Sequence, residues 1–235
     1  MMKIEKGFFV PLYGNDSSVV HIESFFMDIY PVTNREFKEF VIQNDLWEKS
    51  KVKQLFADGN YLNHWADNDD YGSSVSGDAP VTNISWFAAK SYCNSKGKRL
   101  PTIDEWEYVA MADETKPDAR KDEAYNQKIL DWYESSRTFG KEVGSTFKNY
   151  WGIYDLHGLV WEWTQDFNSV LISGESRKDV NSDKNLFCGS ATVGANDLMN
   201  YAAFMRFAFR GSIKANYAIK NLGFRCAQSI PKVEN

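Results

Sequence analysis

Residues 83–112 read NISWFAAKSYCNSKGKRLPTIDEWEYVAMA, and this stretch decides the fold. Ser85 stands where its hydroxyl can cap a helix that carries Trp86, Ala89 and Cys93 on one side, because steps of three and four residues share a helical face. Gly97 stops that helix, since glycine enters the left-handed conformation of a helix end without steric cost. Pro101 and Thr102 restart the chain, and Glu105, three residues after Thr102, completes a capping box. Two helices joined by a tight elbow follow from these signals.

Towards the N-terminus, residues 7–32 alternate short apolar runs with turn residues and read as two or three strands. Thr33 and Glu36 then form another capping box, ahead of a helix with Phe37, Phe40 and Val41 on one face. Residues 44–80 read as a long loop whose Trp47, Phe56, Tyr61 and Trp65 need a core to pack into. Beyond the elbow, residues 113–150 are charged and loop-rich, with helix potential around 120–134. The expectation is an α+β chain with helices early and in the middle, and with short strands and long loops in its second half.

The bulk numbers exclude several classes. The 235 residues suit one large domain, or at most two small ones, and 27 basic against 32 acidic side chains give a net charge of −5. That balance argues against a nucleic-acid surface, which needs a basic stripe. No apolar run approaches the roughly 18 residues of a membrane-spanning helix. The N-terminal MMKIEKGFFVPLYG has no signal-peptide apolar core. The three cysteines and three histidines are scattered, without metal-knuckle or H-E-x-x-H spacing.

One stretch asks for a special role. Residues 152–167, GIYDLHGLVWEWTQDF, place Glu162 between Trp161 and Trp163, with Asp155 upstream. Read as residues alone, this is a buried brace with Glu162 paired to an arginine, a metal loop, or a catalytic site.

Four stretches in order, FFMDIYPVTNREFKEFV, PVTNISWFAAKSYCNSKGKRLPTIDEWEYVA, WGIYDLHGLVWEWTQDF and NLGFRCA, resemble the formylglycine-generating enzyme (sulfatase-modifying factor) superfamily over nearly the whole chain. The resemblance implies a single domain over 1–235 with a loop-rich α+β fold related to the C-type lectins, with short antiparallel strands and a few helices. It implies a structural calcium held by Asp155 and Glu162 side chains and by Gly158 and Val160 carbonyls, an oxygen set of the kind calcium takes. It also implies a disulfide between Cys93 and Cys226, hence a periplasmic or extracellular protein whose signal peptide has been removed, with the cytoplasm left open.

The chain departs from the family enzyme at its chemistry. The family binds copper(I) through a C-x4-C pair, and this chain has no such pair. Counted back from NLGFRC without gaps, the two positions hold Asp197 and Ala202. Copper therefore loses the family's ligands, and activation of a sulfatase is not expected. Residues 187–212, FCGSATVGANDLMNYAAFMRFAFRGS, are most similar to a subgroup found beside copper nitrite reductases, which implies an accessory or maturation factor, or a divergent oxidoreductase, acting on an exported metalloprotein. The candidate catalytic residues are Cys188, Asn196, Arg206 and Arg210. Cys188 reads as a reactive thiol or as a small buried apolar group. Arg206 and Arg210, four apart, share a face in helix or strand and could clamp a carboxylate, or simply pair with this acidic chain. The competing reading is a non-catalytic lectin-like module that binds protein or glycan.

Overall fold

The computed structural model describes residues 1–12, 18–135, 138–169 and 198–231, with side chains in the last segment described from 201. Strands β1 (Met2–Ile4), β2 (Gly7–Phe9), β3 (Val20–Ile22) and β4 (Phe25–Met27) open the chain. Helices α1 (Asn34–Gln43), α2 (Trp86–Ser95), α3 (Ile103–Ala110) and α4 (Glu123–Glu134) follow. The second half holds β5 (Trp161–Glu162), helix α5 (Leu198–Ser212), β6 (Leu222–Gly223) and β7 (Ala227–Ser229).

The local signals work as expected. Thr33 and Glu36 form a full capping box on α1, and Thr102 and Glu105 form another on α3. Ser85 caps α2 by accepting from the Ala88 N–H, and Gly97 follows that helix at φ +67°. Glu105 also forms a forked ion pair with Arg99, both bonds at 2.6 Å, which ties the elbow to the start of α3. Thr102→Ala is expected to cost about 1 kcal/mol, seen as a lower urea midpoint. An unchanged midpoint would mean that the Arg99–Glu105 pair holds the turn by itself.

Two features differ from the sequence expectation. The longest helix among the described residues, the 15-residue α5, lies in the half expected to hold strands and loops. Aromatic residues are common in strands, but the steps of three between those at 201, 204 and 207 and the Ala, Met and Arg between them favour helix, and α5 packs along α4. The strands are not all antiparallel either. β4 lies between β1 and β7, antiparallel to both, and β2 pairs antiparallel with β3, whereas β5 and β6 run parallel. That last pair joins the VWEW stretch to NLGF, with Trp161 opposite Leu222 and Glu162 opposite Gly223. Gly223 is needed there, since a Cβ would stand 2.8 Å from the Val81 carbonyl oxygen.

The largest core cluster is aromatic. Phe37 of α1 contacts Phe40, Trp65, Tyr92 and Phe224, and Trp65 and Tyr61 from the long 44–80 loop are buried with it. Cys93 of α2 and Cys226, just before β7, form a disulfide inside this cluster, with both residues fully buried. Three chain regions far apart in sequence thus meet around one covalent link.

Candidate functional site

Trp106 of α3 is where the signature stretches converge. Its indole N–H donates to Glu162 Oε2 at 2.8 Å. Its ring lies near the guanidinium groups of Arg206 and Arg210, at 5.9 and 5.2 Å from the ring centre. Glu107, the next residue, points about 100° further round the helix. Two charge clusters result, one on each side of Trp106.

The first cluster is structural in its geometry. Glu162 and Arg225 form an ion pair whose side chains are both fully buried. Arg225 Nε and Nη2 donate to Glu162 at 2.7–3.0 Å, and its remaining N–H groups reach the carbonyls of Asp28, Ile29 and Tyr154. This is the arginine partner that the residues alone left open for Glu162. Asp155 has its carboxylate turned elsewhere: it accepts from the Gly144 N–H and from the N–H and hydroxyl of Thr146. Asp155 adopts φ +62° and Gly158 φ +103°, and a Cβ on Gly158 would come within 2.9 Å of Thr146 Cγ2.

The calcium implied by the resemblance does not fit this arrangement. Calcium needs free oxygen lone pairs converging from several ligands. Here the oxygens of Glu162 and Asp155 already accept N–H and O–H donors, and the Arg225 charge stands against Glu162. Asp155, Gly158, Val160 and Glu162 remain close along the chain, but the two carboxylates serve different partners.

The second cluster faces a cleft. Arg206 and Arg210, one turn apart on α5, both reach Glu107: Arg206 through Nε and Nη2 at 2.7–3.1 Å, Arg210 through Nη1 at 2.6 Å. Arg206 also donates to the Tyr133 hydroxyl at 3.2 Å. Burial alone would raise the Glu107 carboxyl, but the two guanidiniums outweigh it and hold the group at about 2. Burial likewise opposes the Arg206 charge, and Glu107 overcomes it, so the pKa of Arg206 rises. Asp104, one turn before, is raised by burial and then by Asp166 and Glu107.

The cleft has a volume of about 60 Å³ and is lined in part by Phe9, Asp104, Glu107, Arg120, Asn126 and Arg210. Arg210 gives a single N–H to Glu107 and makes no other hydrogen bond among the described residues. Its donors that have no partner among the described residues suit a carboxylate or a peptide carbonyl entering the cleft.

His157 is buried beside this cluster, with Nε2 at 2.9 Å from the Ala110 carbonyl oxygen and its ring against Trp106, Tyr125 and Trp132. Burial, and then the Arg206 charge, push its pKa down to about 3, and burial takes His64 to about 4. Both histidines are therefore neutral in the folded protein at pH values where the unfolded chain binds protons. Stability is fully present above about pH 6.5 and is lost as the pH falls towards 3, with a slope of about 1.4 kcal/mol per pH unit for His157. Glu107 adds a further loss from about pH 4.5 down to 2. His157→Phe is expected to flatten the profile between pH 6.5 and 4.5 in urea titrations. A variant as acid-sensitive as the parent would remove His157 from the account.

Of the sequence candidates, Arg206 and Arg210 are brought together as a pair, and the carboxylate they clamp is the chain's own Glu107. Cys188 and Asn196 lie outside the described residues. Cys93 and Cys226 are joined as a disulfide. Ala202 is buried against α4 with Tyr125 and Ile129. Sequence reasoning missed Glu107 and Trp106 as the centre of the site. The EWE triplet stood in plain view, but nothing along the chain links Glu107 to arginines 99 and 103 residues away.

A domain model described as sulfatase-modifying factor enzyme 1-like matches residues 1–230. Inactive C-alpha-formylglycine-generating enzyme 2 of Bos taurus is 26% identical over 249 residues, which span 88% of this chain and 78% of that protein. Formylglycine-generating enzyme of Bos taurus is 27% identical over 250 residues, spanning 88% of this chain and 66% of that protein. In fold the chain is similar to the solved structure of PvdO from Pseudomonas aeruginosa, with a TM-score of 0.51 at 15% identity over 97% of this chain and 93% of that one.

Proposed function

Because the chain belongs to the sulfatase-modifying factor enzyme 1-like family, we propose that it is a member that does not convert cysteine to formylglycine and acts instead as an accessory protein to another exported protein. Ala202 carries this reading. Counted back from NLGFRC without gaps, the family's two copper-binding cysteines fall at Asp197 and at Ala202, a methyl group buried in the α4–α5 interface. Soft thiolates are what copper(I) selects, and neither replacement supplies one. The name inactive C-alpha-formylglycine-generating enzyme 2, borne by a relative of similar identity, supports the same reading.

The buried disulfide supports export, since such bonds persist in oxidising compartments. The partner we propose is an exported metalloprotein of the copper nitrite reductase kind, as the similarity of residues 187–212 implies. The Arg210 donors without a partner among the described residues offer an anchor at the cleft for a carboxylate of that partner.

Two measurements test this. Incubated with copper(I), oxygen and a cysteine-bearing sulfatase-motif peptide, the purified protein should leave the cysteine unconverted by mass spectrometry. Mixed with a copper nitrite reductase, it should co-elute on size exclusion. Conversion of the cysteine would overturn the non-catalytic reading, and separate elution would overturn the partner.

A further inference from the structure

A second cleft, of about 290 Å³, lies between the end of α4, the 3-10 turn Thr138–Gly140 and the β5–β6 pair. It approaches the lower end of small-molecule sites, which run from roughly 300 Å³ upwards. Its walls include four aromatic rings, from Trp132, Tyr133, Phe139 and Trp161, together with Lys220 and Asn221.

The rings are held in place. Tyr133 stacks on Trp161 at 5.0 Å and Phe209 stacks on it at 4.6 Å. Trp132 leans on Trp161 at 5.5 Å, and its indole N–H bonds to Thr138 Oγ1, whose hydroxyl donates to the Leu159 carbonyl. Asn221 is fixed by its backbone: its carbonyl accepts from the Trp161 N–H at 2.8 Å, and the next residue pairs across β5–β6. The platform and its polar edge therefore belong to one hydrogen-bonded unit, prepared for a ligand before it arrives.

Two polar side chains at this cleft, Lys220 and Asn221, lack partners among the described residues. Lys220 is exposed and makes no ion pair among the described residues, although the chain carries more carboxylates than cations. Its ammonium stands 5.3 Å from the Phe139 ring. The Asn221 side chain makes no hydrogen bond among the described residues. With Trp161 covered by Tyr133 and Phe209, the cleft offers the Trp132 and Phe139 rings, one amide and one positive charge.

That combination selects among ligand classes. A quaternary ammonium, a common guest of aromatic cages, would meet the Lys220 charge. An aromatic carboxylate would satisfy Lys220 but leave the Asn221 amide unused. A uronic acid meets all three conditions: C–H groups for the rings, hydroxyls for the amide and a carboxylate for the ammonium. We propose that this cleft is a binding subsite for an acidic sugar, a uronate residue of a glycan, with its ring against Trp132 and its carboxylate towards Lys220.

The proposal does not rest on the accessory reading, and either can fail alone. The indole N–H signals of Trp132 and Trp161 report it by NMR. Methyl glucuronide should shift both signals saturably. Methyl glucoside should bind roughly fivefold more weakly, the range of one exposed charge pair. Lys220→Met, at an exposed position, should reduce glucuronide binding to the glucoside level. The proposal is overturned by an absence of shifts with glucuronide, by unchanged glucuronide binding in Lys220→Met, or by benzoate binding more tightly than glucuronide.

Discussion

Glu162→Ala is expected to destabilise the protein by about 3–5 kcal/mol, because it leaves the Arg225 charge buried without its counter-ion. Both side chains of the pair are fully buried, and Arg225 has no water to turn to. Its bonds to the Asp28, Ile29 and Tyr154 carbonyls persist, but neutral carbonyls do not cancel a charge. The Trp106 indole loses its acceptor as well, which adds a buried unpaired donor. Replacing both partners, as Glu162→Met with Arg225→Met, should cost less than the sum of the single changes, since the double variant buries no lone charge. Urea denaturation of the three variants reads this directly. The loss should be the same with and without added calcium. If calcium stabilises the parent and not Glu162→Ala, Glu162 is a cation ligand and the ion-pair account fails.

Removing the disulfide is expected to cost about 5 kcal/mol in the chain-entropy model, from a separation of 133 residues between Cys93 and Cys226. The bond closes most of the chain into one loop, so its loss acts chiefly by freeing the unfolded state. Both cysteines are fully buried, so reductant should have little effect until the protein opens. Unfolding in urea with reductant present should therefore lower the midpoint, and Cys93→Ala with Cys226→Ala should reproduce that lower value in its absence. Equal midpoints for the parent and the double variant would show that the core holds these segments together unaided.

Local signals were legible in proportion to their range. The capping boxes at Thr33 and Thr102 and the stop at Gly97 depend on neighbours within three or four residues, and each stands where the residues placed it. Arginines 206 and 210 were legible as a pair for the same reason, because a spacing of four puts them on one face. Helix α5 itself was not read: arginines four apart share a face in a strand as well as in a helix, and only the folded chain shows a helix packed on α4. Glu162 could be read as brace or metal ligand, since a carboxylate between two tryptophans is compatible with either.

By its residues alone the chain determined where its first helices begin, its place in a family, and the absence of a C-x4-C pair. These depend on side-chain identity and short spacing. Tertiary structure decided which charges meet: Glu107 with two arginines about a hundred residues on, Glu162 with Arg225, and a parallel β5–β6 pair that builds an aromatic cleft around Trp161. The physical reason is that pairing energy depends on distance and burial, and neither is written along the chain until the backbone has folded.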